Sequence, residues 1–71
     1  MLEEFINKQI QEYLHSKNVE TNLWIQKGMV RIYETLLGFR YVLIFDKEPF
    51  FQFEIDYNGS IISQKNLWED K

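Results

Sequence analysis

VRIYETLLGFRYVLIFDKEPFFQFEIDYNGSII, residues 30–62, decides the fold of this chain. Divided at its turn-forming residues, it becomes a run of segments that can each turn their apolar side chains to the same side of one antiparallel sheet. Leu37-Gly38 reads as a two-residue turn that sets Leu36 opposite Phe39, Ile32 opposite Leu43 and Val30 opposite Phe45. Asp46 to Phe50 reads as a loop, because its charges want water and Pro49 cannot donate to a central ladder. That loop pairs Phe45 with Phe51, Leu43 with Phe53, Tyr41 with Ile55 and Phe39 with Tyr57, and sets Arg40 against Asp56 on the other face. Asn58-Gly59 is the strongest hairpin signal, since both residues accept positive φ, and it places Ile55 opposite Ile62. A slip of one residue at any turn would scatter these side chains over both faces.

Upstream, Leu23 and Ile25 alternate with Asn22, Trp24 and Gln26, and Lys27-Gly28 can turn the chain into Met29 to Leu36. Met29, Ile32, Tyr33 and Leu36 also fit a helical period capped by Gly38. The strand is preferred because β-branched and aromatic residues are frequent there and the hairpin keeps both neighbours in register. Before this, Leu2, Phe5, Ile6, Ile10, Tyr13 and Leu14 recur at three- and four-residue spacing, with Glu4, Lys8, Gln11, Glu12 and His15 opposite them. Glu3 and Glu4 at the start and His15 and Lys17 at the end suit a helix dipole, and Asn18 is a natural stop.

The expected fold class is α+β. An N-terminal amphipathic helix, about residues 2–16, packs on one face of a twisted five-stranded antiparallel meander of order 1-2-3-4-5, with strands near 22–27, 29–36, 39–45, 51–57 and 60–65. Residues 1–71 form one domain. Its expected core is Phe5, Ile6, Ile10 and Tyr13 of the helix against Leu23, Ile25, Val30, Ile32, Leu43, Phe45, Phe51, Phe53, Ile55 and Ile62. Glu34 breaks the pattern on the core face: either the strand frays there and the carboxylate reaches solvent or the Tyr41 hydroxyl, or it lines a pocket. The last strand, ending at Lys65, reads as a protected edge.

Composition bounds the function. An apolar share of 45% and an aromatic share of 17% in 71 residues describe a folded chain, although one so short buries only roughly 60% of its unfolded surface. The absence of cysteine removes disulfides, thiolate nucleophiles and thiolate metal sites, and suits a cytoplasmic location. A net charge of -3 and a pI near 5.0 argue against a mainly electrostatic grip on nucleic acid or anionic membrane. The start carries no basic segment leading into an apolar one, and the longest apolar run is Tyr41 to Phe45, which argues against export and membrane insertion.

No catalytic residue, metal site or cofactor is expected. His15 lies on the polar side of the helix with no second imidazole or nearby serine. Asp46, Glu48, Glu54 and Asp56 read as a solvated loop and sheet face, and Gly28, Gly38 and Gly59 are single turn glycines. No motif carries a family resemblance.

The outer face of the predicted sheet is too apolar for open water. It gathers Trp24, Met29, Arg31, Tyr33, Val42, Ile44 and Ile61 among polar residues, with Trp24 opposite Arg31 in a cation-π pair. Three readings compete: the segment Asn66 to Lys71 folds back so that Leu67 and Trp68 cover the patch; the patch binds a protein, foreign or a second copy; or Trp24 and Tyr33 stack single-stranded nucleic acid, with Arg31, Arg40 and Lys65 on phosphates. The expected function is a small non-enzymatic protein-binding module, inhibitor- or immunity-like or homodimerising, with Trp24, Met29, Arg31, Tyr33, Val42 and Ile44 as its contact residues.

Overall fold

Helix α1, Leu2–Ser16, forms on the predicted residues of a computed structural model that describes residues 2–68. It stops at Asn18, whose φ of 57° lets the Val19 N–H reach back to the Leu14 carbonyl at 2.9 Å. A 3₁₀ turn, Thr21–Leu23, and a single helical turn α2, Trp24–Lys27, lead into the sheet. The sheet has four antiparallel strands in the order β1-β2-β3-β4: β1 Gly28–Glu34, β2 Gly38–Phe45, β3 Glu48–Asp56 and β4 Ile61–Asn66.

The expected first strand at 22–27 is therefore absent, and Lys27-Gly28 makes no hairpin turn. An extended chain would send Leu23 and Trp24 to opposite faces. The helical turns send both inward, where Trp24 lies 6.3 Å from Phe45 with nearly parallel rings and 6.1 Å from Phe50 edge-on. Burying this aromatic surface outweighs the alternating pattern. Gly28 belongs to that packing: a Cβ there would run into the Trp24 indole.

Both central registers shift by two residues from expectation, which keeps every side chain on its predicted face. The first turn is Leu36-Leu37, so Val30 faces Leu43, Ile32 faces Tyr41 and Glu34 faces Phe39. The Thr35 hydroxyl accepts the Gly38 N–H at 3.0 Å and closes that turn. Gly38 also presses so near β3 that a Cβ would meet the Ile55 carbonyl oxygen. The second turn is not a five-residue loop but Asp46-Lys47, both at positive φ (53° and 72°), in the manner of a type I′ hairpin. It pairs Phe45 with Glu48 and Ile44 with Pro49; a bulge then leaves Phe50 unopposed and restores Leu43 to Phe51. The bulge accommodates the proline and turns two consecutive residues, Phe50 and Phe51, into the core. At the last turn the Asp56 carboxylate accepts the Asn58 and Ser60 N–H groups, both at 2.9 Å, and Gly59 alone takes positive φ (89°).

The core is Ile10, Tyr13 and Leu14 of α1 on Leu43, Phe45, Phe50, Phe51, Phe53 and Ile55 of the two central strands. Phe5 meets Phe53 edge-to-face at 5.0 Å, and Tyr13 stacks on Phe50 at 4.1 Å. Burial pushes the Tyr13 hydroxyl above its usual pKa, and the nearby Glu48 and Asp46 carboxylates push it in the same direction. Ile25, Val30, Ile32 and Ile62, expected in the core, are exposed, with Ile25 at 86% and Ile32 at 56%. One helix centred on β2 and β3 leaves the helix-side flanks of both edge strands bare. Glu34 is exposed as well, and its carboxylate accepts from the Tyr57 hydroxyl at 3.3 Å, not from Tyr41.

Candidate protein-binding face

Five of the six residues expected to bind a partner do share the outer face. Antiparallel pairing sets Met29 beside Ile44, Arg31 beside Val42 and Tyr33 beside Arg40. Together with Lys47 and Pro49, the residues Met29, Arg31, Tyr33, Val42 and Ile44 line an open hollow of about 370 Å³. Met29 is 49% exposed and Tyr33 45%, while Val42 and Ile44 form its half-buried floor. The sixth residue, Trp24, is not there: it packs under the opposite side of the sheet, so the expected Trp24–Arg31 pair does not exist and Arg31 stands exposed beside Val42.

The C-terminal segment does not roof this face within the described residues. The Leu67 N–H bonds the Phe50 carbonyl at 3.0 Å, and Trp68 turns to the helix side, 5.4 Å from Tyr13. Residues 69–71 of the proposed fold-back lie outside the described residues. Further along the face, Arg40 bonds Glu54, not Asp56, at 3.2 Å. This change of partner follows directly from the two-residue register shift.

Lys47 and Pro49, expected in a loop, belong to the rim of the hollow. A Pro beside a Phe-Phe pair could have signalled the bulge that puts them there. Among the described residues no cluster of three or more His, Asp or Glu side chains could hold a metal ion. Among the described residues no helix is long and apolar enough to cross a membrane. Comparison with protein-family models, with curated proteins and with solved structures found no match.

Proposed function

We propose that this chain is a small non-enzymatic protein-binding module that docks a partner protein on the outer face of its sheet. The observation that carries the reading is the hollow itself: Met29, Tyr33, Val42 and Ile44 with Arg31 put apolar, aromatic and guanidinium surface side by side with nothing over it among the described residues. Such residue types are enriched in interface cores, and a sheet face meant for water would be polar. Blocking a partner's working surface, as an inhibitor or immunity protein does, suits a rigid scaffold of this size.

Single-stranded nucleic acid finds less support. Trp24 supplies no stacking platform on this face, and Arg40 is already engaged by Glu54. The double substitution Met29→Ala with Tyr33→Ala tests the reading, since neither side chain belongs to the core. Affinity capture from the native cell with mass spectrometry should lose a specific partner, at a cost above about 1 kcal/mol for each anchor, while circular dichroism and melting stay unchanged. Association at wild-type affinity would place the interface elsewhere. An oligonucleotide that binds at low salt and dissociates steeply with added salt would favour the nucleic-acid reading instead.

A further inference from the structure

The two edges of the sheet are unlike. β4 carries Ser63, Gln64, Lys65 and Asn66 and is irregular opposite Ile55, which are devices that discourage pairing with another strand. β1 has fewer of them: Gly28–Glu34 is regular along its whole pairing with β2, lacks proline and lysine, and carries apolar residues on both faces, with Arg31 and Glu34 as its charges. The direction of its main chain follows from two bonds. The Lys27 carbonyl accepts from Asp46 and the Thr35 N–H donates to Gly38, so the odd-numbered residues of β1 face β2. The N–H and C=O groups of Val30, Ile32 and Glu34 therefore point away from the sheet, as does the C=O of Gly28, whose N–H donates to the Trp24 carbonyl at the end of α2. The side chains of Val30 and Ile32 are 36% and 56% exposed on the flank that α1 leaves bare.

We infer that the free edge of β1 pairs with the β1 edge of a second copy, joining two sheets into one continuous eight-stranded sheet about a two-fold axis beside Ile32. This names a second copy as a partner and puts it on the edge, so it stands whether or not the outer face binds a protein. Symmetry requires an antiparallel pair, and hydrogen bonding requires even residues opposite even residues. Centring the axis on Arg31 sets two guanidinium groups together in the closer, non-hydrogen-bonded pair. Centring it on Val30 sets Tyr33 against the partner's Lys27, where α2 is helical, not extended. Centring it on Tyr33 sets Ile32 against the partner's Glu34 twice, as the Ile32 axis does for Val30, but also moves Arg31 opposite the partner's Thr35 and so gives up its pairing with Tyr33. With the axis at Ile32, that side chain meets the partner's Ile32, and Arg31 meets the partner's Tyr33 on the outer face in a cation-π pair made twice. The same register directs the 95% exposed Leu36 toward the partner's Gly28, beside the α2 turn. The outer faces of both copies then lie on one side of the continuous sheet, with Arg31 and Tyr33 at the inner rim of each hollow engaged across the seam.

The full chain contains no cysteine, so one engineered cysteine reports one contact. In the proposed register the Ile32 Cα atoms lie about 5.5 Å apart, within disulfide range, whereas two Arg31 positions are diagonal and about 7 Å apart or more. In a mild thiol–disulfide buffer, Ile32→Cys should cross-link at least tenfold faster than Arg31→Cys or Lys65→Cys. Sedimentation of the wild type should give twice the 8.7 kDa chain mass. Ile32→Lys, an exposed change that leaves the monomer's ladder untouched, should weaken the dimer at least tenfold with an unchanged circular dichroism spectrum. A wild type that remains monomeric at about 1 mM, an Ile32→Lys dimer as tight as wild type, or faster cross-linking at Arg31 or Lys65 overturns the proposal.

Discussion

The indole of Trp24 lies parallel to the ring of Phe45, 6.3 Å between centroids, on the helix side of the sheet. The residue with the strongest interface signature in the sequence is thus a packing residue. It closes the Phe45–Phe50 end of the core, where Tyr13 of α1 meets the same two rings, with the bare backbone of Gly28 against its face.

Trp24→Ala should accordingly act on stability. Removing a half-buried indole from Phe45 and Phe50 costs about 2–3 kcal/mol, below the 3–5 kcal/mol of a fully buried aromatic. Gly28→Ala should destabilise in the same direction by displacing the ring. Urea unfolding reads both, and a Trp24→Ala variant with an unshifted midpoint would contradict this placement.

The alternation of Phe39 to Phe45 and Phe51 to Ile55 made the central strands legible, because side-chain facing survives any even shift of register. The turns set those shifts, and turn residues were ambiguous: Leu36-Leu37 holds no glycine, and Asp46-Lys47 takes a conformation usually given to Asn-Gly. Five of the residues expected to contact a partner kept their face for the same reason. Trp24 did not, since a four-residue segment can obey a period of two and still gain more by coiling one large ring inward. The bare flank of β1 could not be read from pattern at all, because it depends on how far one helix reaches across four strands.

Asp46 and Lys47 hold positive φ without being glycine, a conformation that costs an L-residue roughly 1 kcal/mol. Lys47→Gly should relieve that strain and raise stability by about 0.5 kcal/mol once the added entropy of the unfolded chain is offset. Asp46→Asn in the same protein should add to it, since Asn tolerates this region better. A thermal melt that falls for Lys47→Gly would mean that the lysine side chain holds the turn in another way.

Arg40 and Glu54 face each other across β2 and β3 at 3.2 Å with side chains 44% and 26% exposed. Water screens such a pair, so Glu54→Gln should change stability by no more than about 0.5 kcal/mol. Its larger effect should be to free Arg40 beside Tyr33. If oligonucleotide binding rises in this variant at low salt, the ion pair is what masks the cation.

Alkaline unfolding should report on Tyr13. Its pKa is raised in the native state, first by burial and then by Glu48 and Asp46, whereas in the unfolded chain it returns to about 10. Above that pH the unfolded state sheds a proton that the native state still holds. The stabilisation is thus complete below about pH 10 and is lost as pH climbs through the raised native value. Tyr13→Phe keeps the ring stacked on Phe50 at 4.1 Å and removes the titrating group. Urea midpoints measured from neutral to strongly alkaline pH should therefore decline less steeply for Tyr13→Phe than for the wild type, with the two curves separating only above about pH 10. Parallel curves throughout would show that the Tyr13 hydroxyl titrates alike in both states.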